Sequence, residues 1–324
     1  MSLTLAERVR SGDVRAIARA ISLIEDEAAS AAGLVRDIFP HTGHTYLVGV
    51  TGPPGAGKST LVDRLTAATR ASGETVGVIC VDPTSPFTGG AILGDRLRMQ
   101  AHTHDEHVFI RSMATRGHMG GLARATSDAA LVLDAAGKSL VIIETVGVGQ
   151  DEVDIVRTAD VSVVVLVPGT GDDVQALKAG IMEIADIFVV NKCDRDGSER
   201  MVTSIESNLA LQAYGEGEWR PPILKTEATT GRGVDELWAT IQQVRTHSGN
   251  AASGASRTQS TRRLKARNEF RLRDLLTHRF MELVEHELLG PGEFDALIAR
   301  IAAREVDPYT AASDILSRAL RPKS

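Results

Sequence analysis

Two cysteines in 324 residues, Cys80 and Cys193, are too few for a disulfide framework. They lie far apart, each after an apolar run, and read as buried or strand-end thiols rather than a pair. A reducing compartment is expected, the cytoplasm or a matrix-like space. Nor is there an excess of basic residues: 36 Lys and Arg face 42 Asp and Glu, a net charge of −6. That balance argues against a general nucleic-acid binder, whose affinity depends on clustered cations. No apolar run approaches the roughly 18 residues needed to span a bilayer. The N-terminal run from Met1 to Arg8 is charged and lacks the apolar core of a secretory signal. No membrane association is expected.

What is present is an ordinary globular composition, 43% hydrophobic and 24% charged, so a full core forms without metals or disulfides. Residues 1–45 have helical spacing. Val14, Ile17, Ile21 and Ile24 keep one face, Asp13 is the expected N-cap, and Leu34, Val35, Ile38 and Phe39 continue the pattern until Pro40. Short apolar runs then follow at Tyr46–Val50, Val76–Val81, Val108–Arg111, Leu140–Glu144, Val161–Val167, Ile187–Asn191 and Ile223–Lys225. Continuous rather than alternating runs imply strands covered on both faces. Helical stretches fall near 58–72, 121–137, 151–158, 172–185, 198–213 and 233–245. The alternation predicts an α/β fold with a mostly parallel central sheet flanked by helices, plus N- and C-terminal helical extensions. The domains expected are a helical extension (1–45), the α/β domain (46–246), a flexible Gly/Ala/Ser linker (247–260) and a helical region (261–324). In the last, Leu272, Leu276, Phe280, Leu283 and Val284 share one side.

Gly52-Pro53-Pro54-Gly55-Ala56-Gly57-Lys58-Ser59, followed by Thr60, matches G-x-x-x-x-G-K-S between a strand and a helix. Such a loop turns successive backbone N–H groups onto phosphates and adds the positive helix end. Lys58 is expected on the β- and γ-phosphates and the Ser59 hydroxyl on Mg²⁺.

Asn191-Lys192-Cys193-Asp194 follows the sixth strand and resembles the N-K-x-D base-reading motif. Guanine presents two adjacent donors, N1–H and N2–H₂, to one carboxylate, here Asp194. Adenine would set a lone pair against that charge, a loss of several kcal/mol. The Lys192 stem covers the base face. Glu227-Ala228-Thr229, after the seventh strand, stands where a loop contacts guanine through its backbone. GTP and GDP are the expected ligands.

Glu144-Thr145-Val146-Gly147 ends a strand in the shape of a γ-phosphate sensor. Glu144 is a candidate to hold Mg²⁺ through water or to orient the attacking water, and Gly147 N–H to bind the γ-phosphate. Val148 follows where many small GTPases carry a water-positioning glutamine, so slow intrinsic hydrolysis is expected. Gln150 is nearby, with nothing in the sequence to aim it. The Pro/Gly/Thr-rich stretch after Val81 suits a segment that orders on γ-phosphate. Asp82 and Asp95 within it are candidate Mg²⁺ or water-network residues, or else an Asx-turn and a helix cap.

Residues 52–60, 81–85 (Val-Asp-Pro-Thr-Ser), 88–96 (Thr-Gly-Gly-Ala-Ile-Leu-Gly-Asp-Arg) and 144–150 together resemble the MeaB/ArgK-type G proteins, over roughly residues 40–245. Cys193 departs from the usual Ala, at a position with little side-chain chemistry. The resemblance implies a homodimeric GTPase that binds a cobalamin-dependent acyl-CoA mutase of the methylmalonyl-CoA mutase type. It would gate adenosylcobalamin loading and protect or reactivate the mutase. It also implies a partner-responsive segment, here Pro168 to Lys178, with Lys178 as a partner-stimulated catalytic group. A Lys turned to the γ-phosphate neutralises developing charge as an arginine finger does; otherwise Lys178 is a solvated residue on a helix. The helices after 260 either complete the core or form the dimer surface through Leu272, Leu276 and Phe280.

Two other functions fit parts of the sequence. One is a nickel or cobalt metallochaperone GTPase, for which His102, His104 and His107 offer ligands, although paired cysteines and a His-rich tail are lacking. The other is a kinase linked to amino-acid transport, for which no second substrate pocket is evident.

Overall fold

A computed structural model describes residues 3–82, 99–102, 104–114, 121–145, 159–169, 182, 184–215, 218–249 and 254–319. The chain divides into two units, Met1–Lys265 and Ala266–Ser324.

The first unit opens with three short helices, α1 (Leu5–Arg10), α2 (Val14–Glu25) and α3 (Ala31–Ile38). Thr4 and Glu7 start α1 as a reciprocal capping box. Asp13 caps α2, its carboxylate accepting from the N–H groups of Arg15 at 2.9 Å and Ala16 at 3.1 Å. Ile17, Ile21 and Ile24 are buried, and Ala20 joins them. Val14, expected on that face, is 58% exposed. It is the first residue of the helix, and the apolar face is buried from Ala16 onward. Leu34 and Ile38 are buried, whereas Phe39 is exposed in a 3₁₀ turn with Pro40.

The body then runs β1 (Tyr46–Thr51), α4 (Lys58–Ala71), β2 (Val76–Asp82), β3 (Val108–Ala114), α5 (Gly121–Ala135), β4 (Leu140–Thr145), β5 (Val161–Leu166), β6 (Ile187–Asn191), α6 (Ser198–Leu209), β7 (Ile223–Thr226) and α7 (Val234–Gly249). The seven strands form one parallel sheet in the order β3-β2-β4-β1-β5-β6-β7. Strands β4, β5 and β6 are buried at every residue, as their unbroken apolar runs require. On one side of the sheet Leu61, Leu65, Leu237 and Ile241 of α4 and α7 pack on Val48, Val78, Ile142 and Val163. On the other, α1–α3 and α5 cover Ile79, Val81, Met113 and Ile143. Around β5 and β6, Phe188 packs with Met201, Ile205 and Leu209 of α6. Each fully buried Val, Leu or Ile contributes roughly 1.5–3 kcal/mol relative to exposure. The N-terminal helices are thus part of the core that supports β2 and β3. The helix expected near 151–158 lies outside the described residues, as does most of that at 172–185.

The second stretch of helix begins sooner than its composition foretold. Helix α7 continues to Gly249, and α8 (Gly254–Leu283) starts inside the Gly/Ala/Ser stretch. The Arg, Lys, Gln and Ala residues after 255 have high helix propensity, and only 250–253 separate the two helices. In the unit after Lys265, α8 ends in a wide π turn at Val284–Leu288, followed by α9 (Glu293–Ala302) and α10 (Pro308–Ala319). Arg318 of α10 pairs with Glu293 of α9 and donates to the Leu288 carbonyl, closing the hairpin. Leu272, Leu276 and Phe280 form an exposed stripe, while Val284, expected beside them, is buried; the π turn that starts at Val284 breaks the α-helical spacing. No helix among the described residues is long and apolar enough to cross a membrane.

Candidate functional site

The candidate binding elements among the described residues lie at the carboxyl edge of the sheet, where open α/β sheets bind ligands. The strand order turns at β1, which has β4 on one side and β5 on the other. The phosphate loop leaves β1 at Thr51. Gly52 has φ +146°, and a Cβ there would lie 2.0 Å from the Val165 carbonyl oxygen, so no other residue fits. At Gly57, φ is +84° and a Cβ would meet Asn191 Nδ2 at 2.6 Å. Gly57 caps α4, so the N–H groups of Lys58, Ser59 and Thr60 open the helix toward the loop. Pro53, Pro54 and Gly55 form the rim and Ala56 is fully buried.

Lys58 is 5% exposed, and its Nζ donates to the carbonyls of Gly52 at 2.8 Å and Pro53 at 3.0 Å. The ammonium is held over the loop by those two carbonyls. The Ser59 hydroxyl donates to Glu144 Oε1 at 2.6 Å. Glu144 is 2% exposed and faces Val50 and Cys80 across the sheet. The Cys80 thiol approaches its other oxygen, Oε2, at 3.9 Å. Thr145 donates to the Thr51 hydroxyl at 2.9 Å, fastening β4 to β1 at the mouth of the loop. Asp82 ends β2 at the same edge, in register with Ala114. Asp95, Gly147, Val148, Gln150 and Lys178 lie outside the described residues, and of Asp82 the backbone alone is described.

The base-reading segment is tied to the phosphate loop by side chains. Asn191 is 1% exposed. Its Nδ2 donates to the Ala56 carbonyl at 2.8 Å, and its Oδ1 accepts from the Thr226 hydroxyl at 3.0 Å and Ala228 N–H at 3.1 Å. One amide therefore joins β6, β7 and the phosphate loop. Lys192 adopts φ +56° and donates from Nζ to the Gly55 carbonyl at 2.8 Å, which lays its stem along the site. Asp194 is exposed. Glu227, Ala228 and Thr229 lie in a turn closed by Glu227 N–H donating to Arg232 O at 3.0 Å. The two segments, singled out by motifs some 130 residues apart, are thus in direct contact.

Residues 17–286 match the family described as "Methylmalonyl Co-A mutase-associated GTPase MeaB". The chain belongs to the MeaB family. A protein of Pyrococcus abyssi described as a GTPase is 51% identical over 316 residues, 96% of this chain and 95% of that one. The GTPase ArgK of Escherichia coli is 39% identical over 269 residues, 80% of each. The mouse "Methylmalonic aciduria type A homolog, mitochondrial" is 37% identical over 202 residues, 61% of this chain and 49% of that one. The crystal structure of an LAO/AO transport system kinase superposes with a TM-score of 0.68 at 27% identity, covering 98% of this chain and 99% of that one.

Several residues of this MeaB-family site escaped the sequence reading. Thr226 and Cys80 hold Asn191 and Glu144 from neighbouring strands, which strand register alone reveals. Arg64 of α4 donates to the Thr229 carbonyl at 2.9 Å, a contact across 165 positions with no local signal. His102, weighed as a metal ligand, has its Nε2 3.2 Å from Asp63 Oδ1 and 3.1 Å from the Asp63 carbonyl. Among the described residues no group of three His, Cys, Asp or Glu side chains is placed to hold a metal.

Proposed function

We propose that this MeaB-family GTPase is a GTP-hydrolysing chaperone of a cobalamin-dependent acyl-CoA mutase of the methylmalonyl-CoA mutase type. In this reading it gates adenosylcobalamin loading and protects or reactivates the mutase. The guanine-nucleotide part rests on the Asn191 amide, which bonds at once to the phosphate loop and the base loop. The partner is supported by the family's description as mutase-associated.

Ser59 and Glu144 offer hydroxyl and carboxylate oxygens side by side, a hard donor set that suits Mg²⁺. They would hold it, with Asp82 and Asp95 as further water-network residues. The ion would neutralise charge developing on the transferred phosphoryl group. Lys58 and the loop N–H groups grip the phosphates. Asp194 reads the base, Lys192 covers it, and Gly147 contacts the γ-phosphate. Lys178 is the partner-stimulated group, and Val148 in the glutamine's place keeps unaided hydrolysis slow. The protein works as a cytoplasmic homodimer through the stripe of Leu272, Leu276 and Phe280.

The test is GTP turnover with and without purified methylmalonyl-CoA mutase. Added mutase is expected to raise the rate, and Lys178→Ala to abolish the increase. No stimulation and no complex on size exclusion would refute the partner. Stimulation surviving Lys178→Ala would remove that residue's role. Phosphate transferred to an amino acid rather than water would replace the GTPase reading with a kinase.

A further inference from the structure

We infer that Arg64 is a positioning residue for nucleotide specificity, aiming the base-contacting turn from the phosphate-binding helix. The inference rests on the assignment of residues 227–229 to the base. Arg64 projects from α4, the helix that starts at the phosphate loop, and is exposed. Its guanidinium donates to the Thr229 carbonyl at 2.9 Å. The turn is closed by its own bonds, from Glu227 N–H to Arg232 O at 3.0 Å and from Thr230 N–H to Glu227 O at 3.1 Å. Those bonds set the turn's shape but not its aim.

Strand β7 and the buried Ala228 anchor the start of the turn, and two side-chain tethers from outside it reach Ala228 and Thr229. Asn191 Oδ1 holds Ala228 N–H at 3.1 Å, from the base-reading strand. Arg64 holds the adjacent residue, from the helix that carries the phosphates. A bound nucleotide spans the same two bodies, its phosphates at the start of α4 and its base beside the turn. Arg64 therefore adds a second link, beside Asn191, to the spacing that the nucleotide has to match. A backbone N–H held at the base's six-position suits guanine, whose O6 accepts, and not adenine, whose N6 amine donates. Discrimination needs that donor in place; a turn free to drift loses the bond to O6 and contributes less against adenine. Arg suits the role because its guanidinium stays charged and its donors are rigidly arranged.

The experiment measures release and affinity of GDP and ADP for the full chain and for Arg64→Ala and Arg64→Lys, with thermal melting alongside. Loss of one charge-assisted bond at an exposed position is expected to speed GDP release by about three- to tenfold. ADP binding should hold, so the preference for GDP falls by the same factor. Arg64→Lys, which keeps one donor, should fall between parent and Ala variant, and melting should stay unchanged. Unchanged GDP release in Arg64→Ala overturns the inference. Equal weakening of GDP and ADP also overturns it, because the residue would then act on the phosphate cradle. If the parent itself does not prefer GDP over ADP, the base-reading assignment fails and carries the inference with it. A parent preference retained in full by Arg64→Ala sinks the role of Arg64 alone.

Discussion

Replacing Asn191 by alanine tests the link between the two halves of the site. The side chain is 1% exposed and makes three hydrogen bonds, at 2.8, 3.0 and 3.1 Å. Each such bond contributes about 0.5–1.5 kcal/mol net, and a buried group left without its partner costs about 1–3 kcal/mol. The Ala56 carbonyl, Thr226 hydroxyl and Ala228 N–H would all be stranded in residues at most 3% exposed. Water entering from the nucleotide side recovers part of this, so a loss of about 3 kcal/mol is expected. For a unit of this size that is a fall in melting temperature of about 6–12 °C. GDP affinity should drop by at least about tenfold, since 1.4 kcal/mol of ordering lost from the loops already gives that factor. Thermal melting and titration with a fluorescent GDP analogue read both. Asn191→Asp keeps an acceptor for Thr226 and Ala228 but sets an oxygen against the Ala56 carbonyl, and should be at least as damaging. A variant that melts within about 2 °C of the parent and binds GDP as tightly would refute the reasoning.

Gly52→Ala drives a Cβ to 2.0 Å from the Val165 carbonyl, a clash no rotamer relieves, and should cost at least about 3 kcal/mol in a denaturant titration; a soluble variant of parental stability would contradict the loop geometry. Ser59→Ala takes the hydroxyl from Glu144 and should raise the Mg²⁺ concentration that half-protects bound GDP from release by about tenfold or more. Asp194→Asn exchanges an acceptor for a donor at the base edge; GDP affinity should fall about 100-fold while xanthosine diphosphate, which carries an acceptor at C2, gains. In the C-terminal unit, the Arg318 guanidinium and Gly290 N–H hold the Glu293 carboxyl at about 2, below its ordinary 4.5. Its contribution is complete above pH about 4.5 and is lost as the pH falls toward 2. The helicity lost over that window, read by circular dichroism, should be smaller in Glu293→Gln than in the parent.

The strands were legible because a parallel sheet leaves unbroken apolar runs, and β6 begins and ends at the residues the pattern marked, Ile187 and Asn191. Lys58, Ser59 and Asn191 were marked by motif spacing, and the structure sets all three around residues 52–59. Local pattern fails where the partner is remote. Nothing near Arg64 points to Thr229, and nothing near Cys80 points to Glu144. Composition also misled at 254–260, where small residues read as linker continue into a helix whose Arg and Lys residues favour it. Val14 and Val284 show the same limit, since periodicity names a face but not where the covering neighbour ends.

The strand order has a consequence for how the protein comes into being. Strand β1 is made early, yet its neighbours β4 and β5 lie far down the chain; Thr51 waits 94 positions for Thr145. The Asn191 clamp and the Thr226 hydroxyl arrive later still. A nascent chain therefore displays its phosphate loop long before the loop can grip anything. Once residue 229 has emerged, a single small ligand can register that strands on both sides of β1 have found their places. Because it binds only the assembled arrangement, it then stabilises all of them together by mass action. Cellular guanine nucleotide is thus expected to act as a late inspector of the finished sheet as well as the cargo of the site.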